Sequence, residues 1–301
     1  MTEIVSDHSH HHSEWHHYNY DVVHFILSFL YLILALFCLY SFLKKLRQQN
    51  NSNQQIFYPL LFVGVLIRAV FMFLQPFVME DELQLPNQAN FILNSLPSFL
   101  FFTIYLIVLF IWVEIYLITY GATTTTIRRL PIIFNSLVVT MFAALAVLYI
   151  LDFTLYPLKY DSISAEITKP EIIIALYDCC CFITASGFFF FFGIRLVFKF
   201  RKQQKTLTEE KRHIIVKRIT GLTILIVLCF LIRASITLYS IFIMNFISGQ
   251  WWWFDGAYFF TLEIVPLWIM LYLLTMDKNR RIKSHDYSGG SSEHSSLINS
   301  S

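Results

Sequence analysis

The chain has 301 residues, of which 56% are hydrophobic, 18% aromatic and only 14% charged. Charged residues normally make up about a quarter of a soluble domain, so this composition excludes an ordinary water-soluble protein and predicts a polytopic membrane protein. The net charge of +2 is small; its distribution along the chain carries the meaning, and the partner it implies is the lipid bilayer rather than nucleic acid.

Residues 1–20 form a polar stretch without Lys or Arg, crowded with His8, His10, His11, His12, His16 and His17. Such a low-complexity segment reads as a disordered tail, with a weak metal- or pH-responsive patch as the sharper alternative, because neutral imidazoles bind zinc or copper. Seven apolar segments follow, at 22–43, 56–79, 91–120, 131–151, 171–198, 214–247 and 255–276. Each is long enough to cross a bilayer, which needs about 20 apolar residues. The expected class is therefore an all-α membrane protein with seven transmembrane helices over 21–276. Lys44, Lys45, Arg47, Arg128, Arg129, the basic stretch from Lys199 to Arg218, and Lys278, Arg280, Arg281 and Lys283 all fall on one side of these spans. The other side holds only Lys159 and Lys169, so the positive-inside rule predicts a lumenal or extracellular N-terminus and a cytosolic C-terminus. Trp251, Trp252 and Trp253 fit the interfacial aromatic belt between the sixth and seventh segments. The polar tail 277–301 is expected to be disordered. Its Glu293, Leu297 and Ile298 have the spacing of an acidic dileucine sorting signal.

Leu66-Ile67-Arg68-Ala69 in the second segment recurs as Leu231-Ile232-Arg233-Ala234 in the sixth. In each case the following segment carries a kink-forming proline, Pro97 or Pro266, with a polar residue, Asn94 or Glu263, three positions before it. These matches predict a three-plus-one-plus-three plan of two parallel repeats joined by the fourth segment. A charge at mid-span costs about 2.5–3.5 kcal/mol, so unpaired charges are not expected there. Glu263 lies about 12 Å below the outer boundary by helix rise, and Arg233 lies at a similar depth, which predicts that the two pair. For Arg68 the candidate partners are Glu114, Asn94, Asp178 or a backbone carbonyl. The six residues Arg68, Asn94, Glu114, Asp178, Arg233 and Glu263 form the expected intramembrane polar network.

Residues 96–105 (Leu-Pro-Ser-Phe-Leu-Phe-Phe-Thr-Ile-Tyr), continuing through Leu109 to Tyr116, resemble the third helix of the plant tobamovirus-multiplication (TOM/THH) proteins. Ile67-Arg68-Ala69-Val70, Phe230-Leu231-Ile232-Arg233 and Glu263-Ile264-Val265-Pro266 resemble motifs of their second, sixth and seventh helices, while Asn94-Ser95 stands where an acidic residue is expected. The resemblance implies a seven-helix protein of the vacuolar membrane in plants. It also implies kinship with animal orphan-receptor-like proteins that reside on lysosomes and act on small GTPases.

No Ser-containing nucleophile elbow, phosphate-binding Gly loop or intramembrane metal-ligand spacing occurs, so neither an enzyme nor a cofactor is expected. The leading expectation is a scaffold or receptor-like protein of vacuolar or endolysosomal membrane, with the plasma membrane as the alternative. Its cytosolic loops, above all 199–213, would recruit a cytosolic partner such as a small GTPase or a trafficking adaptor. A G-protein-coupled-receptor-like ligand sensor and a small-solute transporter are the alternatives; the oligomeric state is left open.

Overall fold

In a computed structural model of the chain, the described residues are 3–46, 53–80, 82–121, 123–156, 168–202, 209–242 and 252–272. They form helices and short turns. The helices are α1 (Glu3–Leu46), α2 (Asn53–Met79), α3 (Asn87–Thr119), α4 (Thr124–Leu155), α5 (Lys169–Lys202) and α6 (Glu209–Phe242). The last, α7, is α-helical over Trp252–Phe259 and passes through a π-helical turn at Phe260–Ile264. Seven helices among the described residues are long and apolar enough to cross a membrane, the last over Trp252–Tyr272.

Helix ends depart from the segments read from hydropathy. The helix α5 continues to Lys202 and ends in a last turn carrying Lys199, Arg201 and Lys202. Cations complement the partial negative charge at a helix C-terminus, so residues that read as a basic loop belong to the helix. The helix α1 begins at Glu3 and takes in most of the segment read as a disordered tail. The side chains of the six histidines, the connector 203–208, Trp251 and the sorting-signal residues Glu293, Leu297 and Ile298 lie outside what is described. Trp252 and Trp253, expected in a connector, open α7.

At the start of α5, Thr168 and Glu171 form a capping box. The Thr168 amide donates to Glu171 Oε2 at 2.8 Å and the Glu171 amide to Thr168 Oγ1 at 3.3 Å. The Thr168 hydroxyl donates to buried Asp152 at 2.7 Å, tying the end of α4 to the start of α5.

The core is an aromatic and aliphatic mass drawn mainly from α1, α2, α3, α5, α6 and α7, with Met141 and Leu145 added by α4. By contrast, only Met141, Leu145 and Asp152 of α4 are buried, so α4 turns most of its apolar surface to the lipid. The packing pairs have a simple order. The helices α1 and α2 pack together, as do α5 and α6; α2 meets α3, as α6 meets the π turn of α7; and α3 meets α5, as α7 meets α1. Exchanging α1–α3 for α5–α7 maps each of these pairs onto another. Side-chain bonds follow the same rule. Ser28 Oγ on α1 donates to the Ala69 carbonyl at 2.9 Å, and Cys179 Sγ on α5 donates to the Ala234 carbonyl at 3.6 Å. Ala69 and Ala234 are the last letters of the two Leu-Ile-Arg-Ala stretches.

Candidate functional site: a buried guanidinium–carboxylate cluster

The apolar runs of α2 and α6 each bury one arginine where the triplets meet. Arg68 is wholly buried, Arg233 is 6% exposed and Glu263 of α7 is 2% exposed. Glu263 Oε1 accepts from Arg68 Nη2 at 2.7 Å and from Arg233 Nη1 at 2.9 Å. Its Oε2 accepts from Arg68 Nε at 2.9 Å and from the Tyr31 hydroxyl at 2.8 Å. One carboxylate thus joins α1, α2, α6 and α7.

The local backbone explains how α7 presents this carboxylate. Proline has no N–H and its ring presses on the carbonyl four residues back, so Pro266 disturbs the turn before it. That turn is the π turn, in which the Val265 amide donates to the Phe260 carbonyl. Within it Leu262, Glu263 and Ile264 are all buried, three consecutive residues turned inward. On α3, Pro97 likewise loosens the turn beside Asn94. There Arg68 Nη1 donates both to the Asn94 carbonyl at 2.9 Å and to Asn94 Oδ1 at 2.8 Å.

A guanidinium carries five N–H donors. Arg68 places all of them: Nε and one Nη2 hydrogen on Glu263, two Nη1 hydrogens on Asn94, and the remaining Nη2 hydrogen on Ser98 Oγ at 3.0 Å. Arg233 also reaches Ser98 through Nη2, but its Nε has no acceptor among the described residues. Aromatic faces cover both cations, with Phe259 5.0 Å from Arg68 and Phe182 4.9 Å from Arg233. Such contacts stabilise a desolvated cation by about 2 kcal/mol.

The expected Arg233–Glu263 pair is present, but Glu263 is shared, and Arg68 binds it through the two-pronged fork. Asn94 is the second partner of Arg68. Glu114 is not brought into the cluster: it lies on α3 roughly 24 Å beyond Ser98 by helix rise, too far for either guanidinium. Asp178 is within electrostatic reach of Arg233, Glu263 and Arg68, yet its Oδ1 has no hydrogen-bond partner among the described residues. Sequence reasoning missed Ser98 and Tyr31. Ser98 was visible as a polar side chain in an apolar run, immediately after Pro97. A second polar chain joins α1, α2 and α3. Tyr20 donates to Gln75 at 3.4 Å, and Gln75 donates to Asn90 at 2.7 Å.

Chemically, the arrangement is a lock. Both oxygens of Glu263 already accept two hydrogen bonds each, which leaves the carboxylate no free lone pair for proton transfer or metal ligation. No group of three or more His, Cys, Asp or Glu able to hold a metal occurs among the described residues. Residues 6–288 match the THH1/TOM1/TOM3 domain. No curated protein matches the chain.

Proposed function

The chain belongs to the THH1/TOM1/TOM3 domain family, and from that premise we propose that it is a non-enzymatic scaffold or receptor-like protein of an endomembrane, vacuolar or endolysosomal. In this reading the membrane bundle is a rigid platform, and its basic end, facing the cytosol, recruits a signalling or trafficking partner. The observation that carries it is the saturation of Glu263. A carboxylate held by two guanidiniums and a tyrosine hydroxyl holds four helices together and has no lone pair to offer a moving solute. Breaking such a buried pair costs about 3–5 kcal/mol, a large fraction of the stability of a typical fold. The repeat plan supports the same reading, because one carboxylate then pins both triplets.

The basic residues that end or begin helices, Arg128 and Arg129 of α4 and Lys199, Arg201 and Lys202 of α5, supply the docking surface in this proposal. Contact with anionic lipid is its simplest occupant, and a protein partner such as a small GTPase or an adaptor is the functional one. Proximity labelling from a tag in 203–208 tests the assignment. Enrichment of cytosolic trafficking or GTPase-cycle proteins, lost when Lys199, Arg201 and Lys202 are changed to Gln, supports it. Labelling confined to lumenal proteins would reverse the orientation, and substrate-dependent flux in reconstituted vesicles would replace the scaffold with a transporter.

A further inference from the structure

The two arginines differ in what stands four positions before them. On α2 that position is Gly64, where a Cβ would lie 3.0 Å from the Phe101 ring and 3.3 Å from Leu100 Cβ, so α3 packs directly on the α2 backbone. On α6 the matching position is Cys229. Beside it α3, α5, α6 and α7 leave a small cavity, about 10 Å³ for the centre of a water-sized guest. Phe101 forms part of the wall, with Tyr105, Phe182, Cys229, Arg233 and Glu263. Cavities that stay empty in proteins are apolar, whereas one that offers roughly two to four polar partners takes up water. This wall is polar. Arg233, only 6% exposed, has an Nε–H that no described residue accepts. The Tyr105 hydroxyl is within electrostatic reach of the Cys229 thiol, Arg233 and Glu263, which places it at the same wall. A hydroxyl both donates and accepts, and a thiol does so weakly.

We propose that this cavity holds one buried water, which accepts the Arg233 Nε–H and binds the Tyr105 hydroxyl. The water does for Arg233 what Glu263 Oε2 does for Arg68, whose Nε–H it accepts at 2.9 Å. The space admits about one water and no larger guest. The charges around it call for a neutral guest. Two guanidiniums, Arg68 and Arg233, stand within reach of two carboxylates, Glu263 and Asp178, so no charge is left to be balanced. The Glu263 carboxylate in the wall favours the hydrogens of a water and would repel an anion. The first triplet is thus closed at its arginine by packing on a glycine, and the second by a hydrogen-bonded solvent molecule.

The test is X-ray pulse radiolysis of the purified full chain in detergent, in which hydroxyl radicals made from a bound water oxidise the side chains that touch it. Mass spectrometry then locates the oxidised residues. Phe101 and Phe182, each 2% exposed, should be oxidised several-fold faster than Phe71 and Phe99, which are 6% and 0% exposed and do not line the cavity. Cys229→Val adds one methyl group to the cavity without touching a charge, and should abolish the excess. Tyr105→Phe keeps the size of the wall but removes a partner of the water, and should lower the excess several-fold, so the result does not hang on one variant folding. Oxidation of Phe101 and Phe182 no faster than that of Phe71 and Phe99 would mean a dry cavity and would overturn the proposal. An excess undiminished in both variants would overturn it equally, by placing the water elsewhere.

Discussion

The two Leu-Ile-Arg-Ala stretches aim their arginines at the same carboxylate, yet Arg68 has all five donors engaged, whereas Arg233 gives one hydrogen to Glu263 and one to Ser98 and its Nε has no acceptor among the described residues. The asymmetry comes from the partner helices. Three residues before the proline, α7 carries Glu263 and α3 carries Asn94, so one charge serves two cations. It comes also from the first helix of each triplet. Three residues beyond the side chain that bonds the Ala carbonyl stands Tyr31 in α1 and Phe182 in α5. Tyr31 gives Glu263 a hydroxyl, whereas Phe182 gives Arg233 only a ring face. Two helix triplets with the same packing order can thus keep their contacts while the chemistry concentrates in one half.

Glu263→Leu should break this comparison most severely, because it strands both guanidiniums. Its cost should reach or exceed the upper end of the ~3–5 kcal/mol typical of one broken buried pair, read as loss of monodisperse protein on detergent gel filtration. Arg68→Leu comes next, at about 3–5 kcal/mol, since Glu263 loses its fork and Asn94 and Ser98 lose a donor. Arg233→Leu should cost less, about 2–3 kcal/mol, because Arg68 and Tyr31 still hold Glu263. Thermal midpoints of the two arginine variants measured side by side decide the order, and equal shifts would erase the asymmetry. Tyr31→Phe is the mildest, about 1.5 kcal/mol for one hydrogen bond to a charged group.

Had Arg233 and Glu263 been an isolated pair, as their depths alone suggested, replacing both with Leu would restore most of the stability lost by either single change. With Arg68 bound to the same carboxylate, the double variant leaves a bare buried guanidinium and should stay close to Glu263→Leu. Unfolding midpoints of the two single variants and the double variant separate these arrangements.

Much of this was legible before the structure. Seven apolar runs, the repeated tetrapeptide, the two prolines and the ionisable residues in oil are one-dimensional signals, and hydropathy and helix rise are enough to find them. The sharing of Glu263 was not legible. It depends on α7 packing against α1 while touching α6, a neighbour relation that no spacing encodes. Glu114 stood among the candidate partners of Arg68 although its depth placed it nearer the cytosol, and the helix rise along α3 excludes it. Tyr31 was hidden for a different reason: a tyrosine among leucines reads as one more apolar residue until something accepts from its hydroxyl.

The π turn carries a consequence of its own. It holds one residue more than an α turn, and one residue of α-helix is about 100° of rotation. On one side of it Tyr258 and Phe259 lie over the two guanidiniums, 5.8 Å from Arg233 and 5.0 Å from Arg68; inside it Glu263 binds them. Closing the turn into ordinary helix with every residue kept would throw these two faces out of phase by that rotation, so that the rings or the carboxylate, but not both, could meet the cations. Thr261, whose side chain is exposed and bonds only back to the Ala257 carbonyl, illustrates the point: its replacement by alanine changes little, whereas one residue added beside it turns one face away from the other by about 100° and dismantles the cluster. What this position contributes is a count, and the chain must supply it whatever the letter.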